Sequence, residues 1–550
     1  MSNPDKKFTT TPRIDISFRD EVHNALPMDF PGLVITFDPV MDGYPAGIKI
    51  EASRDGTEVY TETFNVTSFT FSKIVPLKAV DRISLIFLST REPHQYVRVT
   101  NIRYGFGIDW TNNEISSKGI TKSVEIDPIN RRLPRSTVNI NVLDHINEDD
   151  YGRHEHLFNL DNPDGIYGVI ENRLPFSIHY GKTVHDPKTW GDVGKMDWGG
   201  VNRVSWGRLF DGKHVKCFKA GTYLTDGKPI WSDGVVQING RDLISSMTGE
   251  YHKGTYGRKS LYDIALDVIN DAGLSPRDDG RDHFVLHGGL KRIYTESPMP
   301  VLPHNECLRL IAHASNCVLY TDVENIGYIR PIEDKEHGTI DEQHDYSIGF
   351  DVQTAPPVSG LTPSLYAVDS EVTYWGRATG VSTLYETEVK EPGTHRLLVK
   401  HKAAVGIEVT IDNGSVIEMN DYAYATELAV SVTKAAKVKL TGFVLNTTHE
   451  MVRVYNDDGD SKGEVEVLKN VLVNDRETAV SQAEYVRDWL RLRTTYTIKF
   501  RGDPALEVLD KIFCESAFTE KFSARVLRYD WSFNGILDAG VTVKNLESAR

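Results

Sequence analysis

The sequence predicts a mainly β, multidomain protein that is α+β overall. Short alternating apolar and polar runs, separated by Gly, Pro, Asn and Asp, fill most of the chain, a pattern typical of β-strands and turns. Only three segments show convincing helical spacing. At roughly 150 residues per domain, the 550 residues correspond to three to four domains.

Composition excludes several classes of protein. Lys and Arg number 62 against 78 Asp and Glu, a net charge of −16, which argues against a broad nucleic-acid-binding surface. Purely apolar stretches such as Leu85 to Leu88 are far shorter than a membrane span, and no signal peptide follows Met1. The chain is therefore expected to be made in the cytosol, where free thiols suit its four cysteines: Cys217, Cys307, Cys317 and Cys514.

Residues 1–110 are predicted to form an N-terminal β-sandwich. Leu33 to Asp38 is a β-type run, and Ile48 to Ala52 alternates before the turn signal Asp55-Gly56. Ile83 to Leu88 follows as a buried strand. Strands of this length and spacing are typical of a sandwich of about 100 residues.

Residues 111–250 continue the β pattern. Ser136 to Val142 places Val138, Ile140 and Val142 on one face, opposite Asn139 and Asn141. Leu174 to Tyr180 and Val235 to Asn239 are further strands of a barrel or sandwich. The loop from His185 to Asn202 is long enough to be exposed and functional.

Residues 251–350 are predicted to form a small α/β module. Ser260 is the expected N-cap of a helix, with Asp263 at the third helical position and an apolar stripe formed by Leu261, Ile264, Ala265, Val268 and Ile269. A second helix is predicted from about Asn305 to Ser315. The hairpin that follows it pairs the runs 318–322 and 326–330.

Residues 351–550 form a second β region, preceded by a linker-like stretch that starts at Pro331. Asn413-Gly414 predicts a hairpin between Val409 and Ile417, inside an inserted β module at about 380–465. A later helix is predicted with Asn474 as its cap and Glu477 completing a capping box.

Two motifs resemble phosphate and metal sites. Gly181-Lys182-Thr183 ends like a phosphate-binding loop, but Phe176 stands where the first glycine of that loop belongs, so we predict a β-turn. His304, Cys307, His313 and Cys317 carry metal-ligating side chains. One helix would hold its two ends about 15 Å apart, so we predict buried thiols and surface histidines instead.

Three further motifs also favour structural roles. His154-Glu155-His156 lacks the spacing of a zinc protease and lies in a predicted loop. Asn456 to Asp460 departs from a calcium loop and predicts a hairpin turn between Val454 and Val465. Arg501-Gly502-Asp503, although shared with adhesion ligands, is predicted to be a turn ended by Pro504. We predict no catalytic, cofactor-binding or metal-binding residues, although a distant pair of carboxylates for glycoside cleavage stays open.

Aromatic residues leave a binding role open. Trp190, Trp198 and His185 lie in the long loop, and Tyr44 and Tyr60 lie in the sandwich. Exposed rings stack on sugars or fill pockets on a partner, but ordinary packing is the favoured interpretation of each.

Three phrases, in this order along the chain, resemble a known family. They are 119–142, followed by 159–168; 236–243; and 497–512, which leads to 521–529 and 533–538. Together they resemble the baseplate hub and tail-associated proteins of tailed bacteriophages and phage-tail-like particles. The resemblance covers about 111–550, with Leu509-Asp510 standing where the family phrase has a second Gly-Asp. The N-terminal sandwich resembles carbohydrate-binding accessory modules.

The resemblance implies two hub β-barrels, at 111–250 and 351–550, with the α/β module between them. It implies a structural protein of the virion tail, not an enzyme, which forms a homotrimeric ring between the tail tube and a distal spike, needle or fibre. No cofactor is expected, no peptidoglycan-cutting domain in this polypeptide, and DNA only as passing cargo. Three copies would carry −48, so an acidic lumen is expected. The alternative is a tail component that binds a host-surface glycan or receptor; a glycan hydrolase is a third hypothesis.

Overall fold

The structure is a computed structural model that describes residues 2–19, 27–37, 44–66, 70–104, 110–144, 146–148, 154–156, 158, 170, 173–185, 213–232, 234–274, 283–340, 358–361, 364–456, 463–516 and 519–547. Most of the loop 185–202, including Trp190 and Trp198, and the phrase 159–168 lie outside the described residues. The chain divides into two compact units. The first comprises Met1–Glu114, Asp144–Ile170 and Gly181–Cys217, and the second comprises Ile115–Leu143, Glu171–Tyr180 and Phe218–Arg550.

The secondary structure is dominated by strands. Those up to residue 260 are β1 (Arg13–Ser17), β2 (Met28–Phe37), β3 (Pro45–Arg54), β4 (Thr57–Asn65), β5 (Thr70–Val80), β6 (Arg82–Thr90), β7 (Val99–Tyr104), β8 (Ile115–Glu125), β9 (Arg135–Leu143), β10 (Ile146–Glu148), β11 (His154–His156), β12 (Pro175–His185), β13 (Lys213–Thr225), β14 (Ile230–Ser232), β15 (Val235–Arg241), β16 (Glu250–Tyr251) and β17 (Lys259–Ser260). The later strands are β18 (Phe284–Leu286), β19 (Tyr294–Thr295), β20 (Leu302–Pro303), β21 (Val318–Thr321), β22 (Gly327–Arg330), β23 (Glu336–Ile340), β24 (Val358–Leu361), β25 (Leu365–Val389), β26 (Gly393–Lys400), β27 (Ala404–Ile411), β28 (Gly414–Asp421), β29 (Ala425–Val432), β30 (Ala436–Tyr455), β31 (Glu464–Leu468), β32 (Thr494–Phe500), β33 (Lys511–Ser516), β34 (Thr519–Phe533) and β35 (Leu537–Asn545).

The helices are α1 (Leu243–Ser246), α2 (Leu261–Asp271), α3 (His304–Ala314) and α4 (Arg476–Arg491), with a 3-10 turn at Gly288–Arg292. None of the helices in the described part of the chain has the length and apolar character needed to cross a bilayer. The mainly β, multidomain character predicted from the sequence is confirmed.

The first unit contains the β-sandwich predicted at the N-terminus. One sheet has the order β1-β6-β3-β4 and the other β5-β2-β7. Alternation on β3 and β6 directs Ile48, Ile50, Ile83 and Leu85 inward, and all four are at most 1% exposed. They share one apolar core with Ile35 and other side chains of the second sheet. The two sheets are therefore the layers of one sandwich.

A twelve-stranded sheet organises the second unit. Its main path is β12-β13-β15-β9-β8-β34-β35-β32-β24, with β14, β23 and β33 joined at its sides. The apolar face predicted for β9 is confirmed, since Val138, Ile140 and Val142 are buried. Asn141 on the other face is also buried, because its amide donates to the carbonyl of Gly119 at 3.0 Å. Strands of both predicted barrel regions thus lie in one hydrogen-bonded sheet.

The α/β module follows the sequence pattern closely. The hydroxyl of Ser260 caps α2 by accepting from the backbone N–H of Asp263, and all five residues of the predicted apolar stripe are buried. Helix α3 begins and ends one residue before the predicted helix. The predicted hairpin is the antiparallel pair β21–β22.

The inserted β region is a second, smaller sandwich. Its sheets have the orders β27-β30-β25-β31 and β26-β29-β28, and they share a core that includes Val430, Val438 and Leu440. The prediction of a hairpin at Asn413-Gly414 is wrong. Within the fully described span 404–421, β27 pairs with β30 and β28 with β29, so the turn connects the two sheets. Residues in the opposite sheet decide this pairing, which the local turn signal does not encode.

Two other local predictions are also corrected. The N-cap of α4 is Asp475, whose carboxylate accepts from the backbone N–H of Thr478, and not Asn474. The strands at Val454 and Val465 do not form a hairpin, because β30 and β31 both pair with β25, antiparallel and parallel respectively. Residues 457–462 of their connection lie outside the described residues.

Candidate functional site

The first and last β regions of the second unit meet where β8 pairs with β34. The antiparallel register runs from Glu125 opposite Arg528 to Ile120 opposite Phe533. Gly119, just before this pairing, has φ +68, and a Cβ built there would lie 2.0 Å from the carbonyl oxygen of Phe533. Only glycine fits such an approach. Two segments about 400 residues apart in sequence are thereby held in one continuous ladder.

The turn Arg501-Gly502-Asp503 follows the end of β32, as predicted. Gly502 has φ +89, a left-handed conformation. The backbone N–H of Asp503 donates to the phenol oxygen of Tyr529 at 3.0 Å, and that phenol donates to the Asp503 carbonyl at 2.7 Å. Tyr529 is 1% exposed on β34. The turn is thus fixed to the strand that joins β8.

His337 connects both aspartates of the same phrase. Its Nε2 lies 2.9 Å from an oxygen of Asp503, and its Nδ1 lies 3.3 Å from an oxygen of Asp510. These contacts raise the pKa of His337 to about 9, the hydrogen bond to Asp503 being the largest cause. His337 lies on β23, which pairs in parallel with β33. The imidazolium therefore ties an added strand to the turn.

Leu509 stands where the family phrase has glycine, and it adopts φ +70. A left-handed conformation costs a residue other than glycine about 1–2 kcal/mol. The backbone offsets this cost, since the Leu509 N–H donates to the Val526 carbonyl at 2.8 Å. The Leu509 carbonyl accepts from the buried guanidinium of Arg525 at 2.9 Å. The departure from the family phrase thus keeps a glycine-like backbone conformation.

Lys122 is a buried cation on β8. Its ammonium donates to the carbonyl of Ala220 at 2.5 Å, and its side chain lies beside a small cavity lined also by Asp242 and Glu507. Burial lowers the pKa of Lys122 to about 8 and raises the pKa of Asp242 to about 6. Sequence reasoning missed both groups, because burial of these two side chains depends on strands far away in the chain.

The four metal-like residues do not form a metal site. Cys307 and Cys317 are buried thiols, as predicted, and burial raises the pKa of both. The prediction of surface histidines is wrong, since His304 and His313 are also buried. His304 Nε2 lies 2.9 Å from Asp271, and His313 accepts from the amides of Asn470 and Gln482. Among the described residues, no three His, Cys, Asp or Glu side chains are grouped to hold a metal ion.

The remaining motifs lie in or beside strands. Gly181-Lys182-Thr183 lies within β12 rather than in a turn, and His154-Glu155-His156 forms the short strand β11 rather than a loop. Tyr44, an aromatic candidate for sugar stacking, is buried beneath the guanidinium of Arg91. Tyr60 is half-buried and donates to Glu62 at 2.5 Å. His185 ends β12.

Comparisons with known proteins give matches among solved structures. No family model matches the chain, and no curated protein matches it. The 43 kDa tail protein of prophage MuSo2 from Shewanella oneidensis has 8% identity and a TM-score of 0.35, with 80% of this chain and 94% of that chain covered. Prophage tail protein gp18 from Listeria monocytogenes has 6% identity and a TM-score of 0.36, covering 82% and 93%.

A third solved structure is the Escherichia coli c3393 protein. It is described as a component of the type VI secretion system with structural similarity to the T4 bacteriophage tail proteins gp27 and gp5. Its identity is 5% and its TM-score 0.32, covering 78% of this chain and 73% of that chain. The chain is similar to phage tail proteins. Identities of 5–8% carry no residue's role from these proteins to this chain.

Proposed function

We propose that this chain is a structural hub protein in the tail of a bacteriophage or phage-like particle. In this role it forms a homotrimeric ring that joins the tail tube to a distal spike, needle or fibre. One observation carries the proposal: β8 and β34 unite the two regions that bear the tail-hub phrases in a single sheet. Such a continuous ladder suits a rigid adaptor that must hold two partners in fixed register.

The contacts around this sheet also suit a rigid scaffold. Arg525, 7% exposed, donates to the carbonyls of Glu333 and Leu509 and pairs with Asp334 at 2.9 Å. Phe500 and Tyr529, both at most 2% exposed, stack with their ring centroids 6.2 Å apart. Charge-assisted hydrogen bonds from a buried guanidinium, together with packed aromatic rings, favour a rigid sheet.

Oligomeric state provides the direct test. Light scattering on the purified full-length chain should give three times the mass of one chain, and electron micrographs should show a threefold ring. The same preparation should bind a tail-tube or distal-tail protein in a pull-down. A stable monomer that binds none of these tail proteins would overturn the proposal.

The acidic lumen is a consequence that a trimer makes testable. Three chains would carry −48, three times the −16 of one chain, and like charge keeps DNA phosphates away from a channel wall. A ring structure with acidic side chains along the channel is the expected result. A neutral or basic channel surface would remove this part of the proposal.

The scaffold role involves no chemical turnover. We expect the pure protein to release neither sugar nor muropeptide from bacterial cell walls or surface polysaccharides during prolonged incubation. Reproducible release would favour the hydrolase hypothesis instead. A mock purification without the protein serves as the control, since it reveals contaminating hydrolases.

A second candidate function is glycan binding by the N-terminal sandwich, favoured by one side chain. Tyr96 is 56% exposed, the kind of ring that stacks on a sugar. Full-length protein on an array of bacterial surface glycans should then show binding that a Tyr96→Ala variant loses. Binding that persists in this variant would exclude Tyr96 as the carrier.

A further inference from the structure

The second unit contains a cleft of about 650 Å³ that no sequence motif predicted. Its walls come from the segment after the 3-10 turn, from β25 and from the start of α4. This volume is in the range of small-molecule sites. The residues used below are Arg258, Arg292, Tyr294, Asn316, Tyr374 and Trp375, all of which line the cleft.

Aromatic rings supply the apolar part of the cleft. Tyr294 and Tyr374 are 45% and 41% exposed, and Trp375 lies beside Tyr374 on β25. Trp375 is held in place by its indole N–H, which donates to the Ser297 hydroxyl at 2.6 Å. The Tyr374 phenol donates to Glu450 at 2.9 Å at the surface. A ring held as Trp375 is can accept a flat ligand face at little entropic cost.

The cleft also offers hydrogen-bond donors from two arginines. Arg258 and Arg292 form no ion pair with a carboxylate of the described residues, although the guanidinium of Arg258 lies 4.6 Å from the Tyr294 ring centroid. Each guanidinium carries five N–H donors in a fixed plane. The contact with Tyr294 positions the Arg258 guanidinium at the cleft.

Acceptors line the same cleft. The side-chain oxygen of Asn316 is buried and has no hydrogen-bond partner, while its amide nitrogen donates to Ser481 at 2.9 Å. Asn316 has φ +54 because it ends helix α3 in the left-handed conformation that Asn tolerates at this position. The carboxylates of Glu296 and Glu477 also line the cleft. An unpaired buried acceptor favours a ligand that brings a donor.

These groups together select one ligand chemistry. An anion would meet the carboxylates of Glu296, Asp475 and Glu477, and an apolar ligand would leave the polar walls unpaired. Hydroxyl groups both donate and accept, so they satisfy arginines, an amide oxygen and carboxylates at once. A sugar ring adds a C–H face for the aromatic residues. We propose that this cleft binds an uncharged saccharide.

The proposal is independent of the hub role, and it is separate from glycan binding by the N-terminal sandwich. Full-length protein is probed on an array of neutral and acidic bacterial surface glycans, and saturation-transfer NMR is then run with the neutral oligosaccharide that gives the strongest signal. Tyr374→Ala and Arg292→Ala should each weaken binding about tenfold or more, because each removes a wall contact.

Tyr385→Ala is the matched control. Tyr385 lies on the same strand β25 and is 37% exposed, but it is not among the residues that line the cleft. Its replacement should leave affinity within about twofold. No binding of any neutral glycan, or binding that survives in Tyr374→Ala and Arg292→Ala, would overturn the proposal. Binding lost only in Tyr96→Ala would assign the sugar to the sandwich instead.

Discussion

Tyr529 and Asp503 exchange two hydrogen bonds through a single phenol oxygen. The oxygen accepts from the Asp503 N–H at 3.0 Å and donates to the Asp503 carbonyl at 2.7 Å. Because Tyr529 lies on β34 and Asp503 follows β32, one hydroxyl satisfies both backbone groups of a turn two strands away. Burial raises the pKa of Tyr529, so the phenol stays neutral and keeps its donor.

Replacing Tyr529 with phenylalanine should destabilise this turn. The change removes both hydrogen bonds of the phenol while the Asp503 carbonyl still accepts from the Leu506 N–H at 3.1 Å, at an expected cost of about 1–3 kcal/mol. Hydrogen exchange at the Asp503 amide should accelerate, and the urea midpoint should fall. Tyr374→Phe is the matched control, because its hydroxyl donates to Glu450 at the exposed surface, and it should change stability by less than about 0.5 kcal/mol. Equal effects of the two changes would contradict the role of Tyr529.

His337 should make stability depend on pH in the alkaline range. Its pKa is about 9 in the fold and about 6.5 in an unfolded chain, so its ion pairs contribute fully below pH 6.5. This contribution is lost as the pH rises through 9. After allowance for screening of a half-buried group, we expect it to amount to about 1–2 kcal/mol.

The measurement compares urea unfolding of the wild type and His337→Gln between pH 6 and pH 10. The difference in stability should be largest at pH 6 and should shrink towards pH 10. His395→Gln is the control, since His395 contacts the neutral backbone carbonyl of Glu391 and, among the described residues, forms no ion pair with a carboxylate. A difference that stays constant with pH would show that protonation of His337 does not stabilise the fold.

Asn474 should contribute more to stability than the true helix cap beside it. Its side-chain oxygen accepts from the N–H groups of Glu296 and Ser297, at 2.7 and 3.1 Å, and its amide donates to the Thr373 carbonyl at 2.6 Å. Asn474→Ala should therefore cost about 3 kcal/mol or more. Asp475→Ala removes one cap and should cost about 1 kcal/mol. Thermal unfolding of both variants checks the order.

Local chemistry explains which features the sequence could predict. The cap of α2 depends on Ser260 and Asp263, three residues apart, and the pair β21–β22 needs only a short turn. The sandwich core of the first unit follows from alternation within single strands such as β3 and β6. In each case, the residues that decide the structure are close together in the chain.

Distant partners explain what the sequence could not predict. His304 is buried against Asp271, which lies 33 residues before it in the chain. His313 is buried against Asn470 and Gln482, which lie 157 and 169 residues after it. The pairing of β8 with β34 and the cleft beside Trp375 arise in the same way. The spacing of residues along the chain does not encode such long-range contacts.

Lys122 should destabilise the fold at neutral pH. Its pKa is about 8 when folded, below the unfolded value of about 10.4, so the unfolded chain binds more protons between these values. The free energy of unfolding of the wild type should increase as the pH rises from about 8 to about 10.4, and Lys122→Met should not show this increase. At pH 7 the variant should be about 1–3 kcal/mol more stable, as measured by urea unfolding.

Lys219→Met provides the comparison for Lys122. Lys219 pairs with Glu324 near the surface, and such pairs are worth about 0–1 kcal/mol. Its loss should leave stability nearly unchanged or slightly lower at pH 7. A loss of stability in Lys122→Met would instead show that the bond to the Ala220 carbonyl outweighs the cost of burying the ammonium.

Gly119 controls the junction between β8 and β34, and its replacement tests how the sheet is held together. An alanine Cβ would lie 2.0 Å from the Phe533 carbonyl oxygen, so the backbone must move and the end of the pairing must open. We expect Gly119→Ala to cost about 3 kcal/mol or more, from steric overlap added to left-handed strain. Hydrogen exchange along Ile120 to Val124 should rise with it.

Gly227→Ala separates the two causes of that cost. Gly227 has φ +81, close to that of Gly119, but a Cβ there would meet nothing within 4 Å. This control should cost only about 1–2 kcal/mol of backbone strain and should leave exchange in β8 unchanged. If both variants unfold at the same urea concentration, the close approach to Phe533 contributes nothing. If only Gly119→Ala opens β8, the pairing of β8 with β34 depends on the absence of a Cβ at residue 119.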